Sequence, residues 1–141
     1  LTALPCPRFA DHLSHLAALR AAALRAVDPA AAVRRSLMPA DFADAERVFI
    51  VGAGKAGVAM THAAAEILGG RLASGVVAVP GRPAAAPNGI TFVEGGHPAP
   101  TAGSLAAGRL VSDLLSQTTA RDLVIVLISG GGSATLELPR A

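Results

Sequence analysis

The sequence predicts an α/β fold, a parallel sheet with helices on both faces, and three observations carry that reading. Short apolar runs rich in Val and Ile, at 48–51, 75–79, 90–94 and 123–128, alternate with stretches of helical periodicity. Strands alternating with helices place the helices on both sides of a parallel sheet. Two of the runs break directly into glycine-rich turns, Gly52-Ala53-Gly54-Lys55-Ala56-Gly57 and Ser129-Gly130-Gly131-Gly132-Ser133. The last run, 123–128, is apolar at every position, the pattern of a strand buried on both faces of a parallel sheet. The architecture is therefore Rossmann-like, with a helical leader over 1–47 and a βαβ core over 48–141.

Each element has a local reason. Phe9, Leu13, Leu16, Leu24 and Val27 recur at helical spacing, which predicts an amphipathic helix over about 9–27. Asp28-Pro29 supplies an N-cap followed by proline at the first helical position, starting a second helix to about residue 37. Met38-Pro39 ends it, and 41–47 is a polar connection. Strand 48–51 leads through the first glycine turn into a helix over about 55–68, which Gly69-Gly70 terminates. A β-branched strand over 75–79 is followed by a Pro/Gly/Ala loop over 80–89. Strand 90–94 runs into the turn Gly95-Gly96-His97-Pro98-Ala99-Pro100. Thr101 caps a helix to about residue 117, with Leu105, Leu110 and Leu114 expected on one face. Strand 123–128 closes the pattern.

Composition excludes several classes of function. With 141 residues the chain can bury a core. Its formal charge is only +2, and Arg34-Arg35, without interleaved aromatics, is its one adjacent basic pair, so no nucleic-acid partner is expected. The single Cys6 allows no internal disulfide and fits a reducing compartment. No stretch reaches the roughly 18 to 20 apolar residues of a membrane span, and no signal peptide is evident. A soluble cytoplasmic protein is expected. The chain stops a few residues after its second glycine turn, where a helix is starting, so it reads as part of something larger. An incomplete sheet leaves an unpaired edge open to self-association as a homo-oligomer.

Lys55 is the only lysine, and every other basic side chain is an arginine. It sits where a strand breaks into a helix, where free N–H groups and the positive helix end favour anions. A compact ammonium suits phosphate or carboxylate there. Gly52, Gly54 and Gly57 match the spacing of a dinucleotide-binding turn. The acidic ribose contact expected about 20 residues later is missing, because the second strand ends in Pro80-Gly81-Arg82. Ser129, Gly130, Gly131, Gly132 and Ser133 can turn successive N–H groups into an anion-binding concavity, with the serines adding hydroxyls. His97 reads equally as an acid/base or ligand-donating group and as a loop-orienting residue. Glu94 and Asp122 read as strand-end residues rather than metal ligands. His12, His15 and His62 read as helix-surface residues, and Cys6 is no nucleophile. All three loops follow carboxyl ends of strands and are expected to converge on one edge.

The runs Val51-Gly52-Ala53-Gly54-Lys55-Ala56, Gly96-His97-Pro98-Ala99-Pro100 and Leu127-Ile128-Ser129-Gly130-Gly131-Gly132-Ser133-Ala134, with the trailing Leu136-Glu137-Leu138-Pro139, resemble the glycerate 2-kinase family. Its members carry a MOFRL-type C-terminal domain and are often labelled hydroxypyruvate reductases. The order and separation of these motifs are similar over nearly the whole chain. Thr101 departs from the pattern, which commonly has an acidic residue there. The resemblance implies transfer of the ATP γ-phosphoryl group to the 2-hydroxyl of D-glycerate, with Mg²⁺, giving 2-phosphoglycerate. It implies a catalytic Lys55 in an interdomain cleft, phosphate or substrate binding by Gly52, Gly54, Gly57 and residues 129–133, and a place for His97 beside them. The MOFRL domain, further arginines and the metal ligands would lie outside this chain, so the isolated chain is expected to lack kinase activity. Two other classes share part of the pattern: an NAD(P)-dependent hydroxypyruvate reductase and a SIS-type sugar-phosphate isomerase or binding module.

Overall fold

The computed structural model describes residues 11–139, and the expectations placed on Cys6, Phe9 and the last two residues lie outside it. Four strands form one sheet: β1 (Val48–Ala53), β2 (Leu72–Val79), β3 (Ile90–Glu94) and β4 (Leu123–Ile128), in spatial order β3-β2-β1-β4. All three neighbouring pairs are parallel. The crossovers are α3 (Gly57–Leu68) between β1 and β2, the loop 80–89 between β2 and β3, and α4 (Ala102–Ser116) between β3 and β4. The chain moves outward from β1 to β3 and then returns to the other side of β1. The strand order therefore reverses between β1 and β4, the position where open α/β sheets bind ligands.

One face of the sheet packs Val48, Ile50, Val77, Val79 and Leu127 against Ala63, Ala64 and Leu68 of α3 and Val33 of α2 (Pro29–Ser36). The opposite face packs Phe49, Val51 and Val76 against Leu114 of α4. Local signals explain several boundaries. Asp28 Oδ1 accepts from the Ala31 amide at 2.6 Å, with Pro29 at the first helical position. Gly69, at φ 51°, stops α3. β1 runs two residues into the glycine turn because Gly52 and Ala53 still pair with Val77 and Ala78 on one side and Leu127 and Ile128 on the other. The connection before β1 contains a short 3-10 turn, Pro39–Phe42, whose Phe42 is buried. Arg71 holds this turn by donating to the carbonyls of Phe42, Ala43 and Ala45.

Three sequence expectations change. The first helix, α1 (His12–Ala26), forms, but none of its residues is buried. Leu13, Leu16 and Leu24 stand 79%, 62% and 62% exposed, because no described element packs over that stripe. In α4 the buried face carries Ser104, Ala107, Gly108 and Leu114, while Leu105 is only half-buried and Leu110 is exposed. At 3.6 residues per turn, positions 105 and 114 lie on opposite sides of a helix, so no single face could hold the three leucines. β4 is not covered on both faces. Leu127 is buried under the α3 side, whereas Val126 and Ile128 are 58% and 69% exposed. α4 sits over β2 and β3, and on that side of β4 only Val124 joins the packed cluster, which leaves Val126 and Ile128 open. No described helix is long and apolar enough to cross a membrane.

Candidate active site at the strand-order reversal

Because β1 and β4 are adjacent and parallel, the turns leaving them emerge side by side, and hydrogen bonds lock them together. The Ser129 amide donates to Ala53 O at 3.0 Å, and the Lys55 amide donates to Gly130 O at 3.0 Å. The Ala56 amide donates to Ser129 Oγ at 3.0 Å. The Gly54 amide goes to Ala78 O at 3.0 Å and the Gly57 amide to Gly54 O at 3.1 Å. The 52–57 turn thus spends its amides inside the chain. Its role in the geometry is to carry Lys55, whose side chain is exposed, to the rim beside the second turn. Gly54 has φ +115°, and a Cβ there would run into Ser129 O, so this interlock demands glycine.

The 129–133 turn is different. The amides of Gly130, Gly131 and Ser133 donate to no acceptor among the described residues, and Ser133 is exposed with its hydroxyl free of partners there. Gly132 and Ser133 open the short helix α5 (Gly132–Thr135). Successive unpaired N–H groups on one turn form a concavity that favours anions. Gly131 has φ +90°, and the third loop meets it. A Cβ on Gly131 would lie 2.7 Å from His97 Cδ2, 3.1 Å from His97 Nε2 and 3.6 Å from Lys55 Cε. The lysine stem and the imidazole therefore flank one bare glycine. Lys55, His97 and residues 129–133, singled out separately in the sequence, are neighbours in space. Gly52 and Gly57 are buried beneath this rim and pack against β2, at Val77.

What holds the His97 loop in place was not legible in the motifs. Ser104, fully buried in the first turn of α4, accepts at Oγ from the Gly96 amide (2.9 Å) and the Thr101 amide (3.1 Å). It donates to Ala134 O at 2.7 Å. One hydroxyl thus joins the third loop, the start of α4 and the segment after the triple glycine. The signal available was its position three residues after the Thr101 cap, the site of a capping-box acceptor. Beside this loop lies a cleft of about 530 Å³ whose walls include Pro80, Glu94, His97 and Thr101.

Asp122 belongs to the opposite end of the sheet. Arg47 grips its carboxylate with two hydrogen bonds, 2.9 and 2.7 Å, and the Thr119 amide and hydroxyl donate at 2.7 and 3.0 Å. The Arg47 hydrogen bonds hold the Asp122 carboxyl far below the ordinary carboxylate range, and burial opposes them without prevailing. Asp122 is structural, as its strand-end position suggested. His62 stacks on Phe92 with ring centroids 6.3 Å apart. Among the described residues no group of three or more His, Cys, Asp or Glu side chains is placed to hold a metal ion.

Comparison with known proteins follows the same outline. Residues 15–141 match the family described as "Domain of unknown function (DUF4147)". The chain is 36% identical over 117 residues to the D-glycerate 2-kinase of Thermotoga maritima, covering 82% of this chain and 27% of that protein. The crystal structure of glycerate kinase from Thermotoga maritima superposes with a TM-score of 0.73 at 35% identity, over 83% of this chain and 28% of that one. A Pyrococcus horikoshii protein superposes with a TM-score of 0.75 at 28% identity, over 96% of this chain and 32% of that one. The chain thus spans roughly a quarter to a third of the length of these relatives. Motifs, sheet order and matched residues converge: the chain belongs to the DUF4147 family, that of the glycerate 2-kinases.

Proposed function

We propose that this chain forms part of the active site of an ATP-dependent D-glycerate 2-kinase, with Lys55 as its catalytic cation. The observation that carries the reading is the convergence of Lys55, His97 and the three unpaired amides of the 129–133 turn at the strand-order reversal. In the reaction, the 2-hydroxyl oxygen bonds to the γ-phosphorus, the bond to the β,γ-bridging oxygen breaks, and the hydroxyl proton is released. Phosphoryl transfer needs mainly positioning and neutralisation of charge on the transferred oxygens. Amides of Gly130, Gly131 and Ser133 would receive an anionic group, carboxylate or phosphoryl, and the Lys55 ammonium would neutralise charge beside it. Gly52, Gly54 and Gly57 contribute through shape, setting the close approach of the two turns.

This cradle, with donors and no carboxylate among its members, fits an anion, either the carboxylate of the hydroxy acid or a phosphoryl group of ATP, which when bound supplies the group transferred. Mg²⁺ finds no fitting ligand set among the described residues. Its ligands would come from the nucleotide and from regions present in the longer relatives, where the MOFRL domain also belongs. Of the described residues, 11–47 would serve as leader and 48–139 as the βαβ core of a larger catalytic domain. We place the enzyme in the cytoplasm, and the open edge of β4 supports pairing with a second copy. A nicotinamide-dependent reductase is less well supported, because the 52–57 turn has no spare amides for a pyrophosphate and no carboxylate follows β2.

Amide chemical shifts test the site directly. Adding D-glycerate or ATP should shift Gly130, Gly131 and Ser133, and Lys55→Ala should weaken that response about tenfold or more with little change in unfolding free energy. Unmoved amides at saturating ligand would remove the cradle from the mechanism, and an undiminished response in the variant would remove Lys55. ADP formation from ATP and D-glycerate is expected to be absent for these 141 residues alone.

A further inference from the structure

We propose that Glu94 is a specificity-determining residue that recognises the terminal hydroxyl of a short hydroxy acid, in the cleft next to the anion cradle. The inference rests on the reading of the 129–133 turn as that cradle. Glu94 ends β3, paired with Val79, and the following Gly95 amide donates to Val79 O at 2.9 Å, so its position is fixed by the sheet. Its exposed carboxylate makes no hydrogen bond or ion pair with any described residue. Glu46, Glu66 and Asp122, by contrast, are each matched to an arginine. Glu94 lines the cleft of about 530 Å³, as do His97 and Thr101.

His97 borders both spaces. It lines the cleft with Glu94 and also lies over Gly131 beside Lys55. The combined surface is electrically polar. One end presents an ammonium and free N–H groups, which favour an anion. The other presents a carboxylate, which can only accept hydrogen bonds and therefore favours a hydroxyl and repels a second anion. A three-carbon acid with a carboxylate at one end and a hydroxymethyl group at the other matches that polarity. Its middle hydroxyl then falls between the two ends, near His97 and Lys55. A ligand lacking the terminal hydroxyl leaves the Glu94 carboxylate without the donor it is placed to meet, which is how a polar site rejects an analogue. Ser104 fixes the cleft wall by holding the Gly96 and Thr101 amides.

The experiment compares D-glycerate, D-lactate (the same acid without the terminal hydroxyl) and inorganic phosphate. Each is titrated into the 141-residue chain while the Gly130 and Gly131 amide shifts are followed, with circular dichroism as a check on folding. The wild-type chain should prefer glycerate over lactate by about tenfold, the size expected for one charge-assisted hydrogen bond. Glu94→Gln and Glu94→Ala should reduce that preference to about twofold or less, while phosphate binds no more weakly than before. If lactate and phosphate bind but the preference is absent, or survives Glu94→Ala, the assignment of Glu94 is wrong and the cradle stands. If none of the three ligands moves the cradle amides, the cradle reading fails and this inference fails with it.

Discussion

Two glycines decide how closely the turns after β1 and β4 approach each other. Gly54 at φ +115° lets Ser129 lie against its backbone, and Gly131 at φ +90° makes room for the His97 ring beside the Lys55 stem. Gly54→Ala combines a disfavoured backbone angle with a clash against Ser129, neither of which a flexible side chain can relieve. It should lower the unfolding free energy by about 2 kcal/mol or more, read from a urea midpoint, through strain at a positive φ and the displaced Ser129 contact. An unchanged midpoint would mean that the interlock is not rigid. The glycines themselves were legible as motif positions. Their division of labour was not, because a sequence does not show which amides a turn spends on its neighbours. Only the hydrogen-bond pattern reveals that the 52–57 turn is consumed internally while the 129–133 turn keeps free donors.

At the scale of elements, two polar side chains pin strands and helices that hydrophobic contact alone would leave loose. Ser104 joins three segments, so Ser104→Ala leaves the Gly96 amide and Ala134 carbonyl short of a buried partner. A loss of about 1–3 kcal/mol in chemical denaturation is expected. Faster amide exchange should appear at residues 95–97 rather than in β1. Asp122 ties the start of β4 to Arg47. Its folded-state carboxyl is depressed by Arg47 hydrogen bonding, so its stabilisation is present above the ordinary carboxylate pKa of about 3.9 and is lost as pH falls below it. Asp122→Asn should therefore lower Tm at pH 7. That Tm gap to the wild type should narrow as the pH drops from about 4 toward 2. A gap independent of pH would show that the carboxylate charge does not matter. The helices and strands at these positions were largely readable from periodicity and caps, Asp28-Pro29 and Gly69 being clear cases. The buried face of α4 differs from the one its leucines predict, because small residues rather than Leu105 and Leu110 face the sheet. Close packing on the sheet is made there by Ser104, Ala107 and Gly108, whose small side chains let the helix approach.

For the whole molecule, the reversal of strand order between β1 and β4 is what turns three separated sequence motifs into one rim. The same arrangement leaves β4 at an edge, with Val126 and Ile128 exposed and an apolar groove of about 290 Å³ on its other side, lined by Val33, Leu37, Met60, Ile125 and Leu127. An uncharged, unpaired strand invites edge association. Sedimentation velocity of the isolated chain should show concentration-dependent self-association, and Val126→Lys should shift it towards monomer. A wild-type chain that stays monomeric throughout would refute this expectation.

Alternation of apolar runs with helical periods, the glycine turns and the cap residues were enough to determine the α/β class, the succession of elements and the identity of the rim residues, because those features depend on local backbone chemistry. Which strands are neighbours, which face of β4 stays open, which amides remain free and which side chain braces the His97 loop were decided only by the tertiary structure. These depend on contacts between residues as far apart as Ala56 and Ser129 or Ser104 and Ala134, and no local pattern encodes the pairing of distant segments.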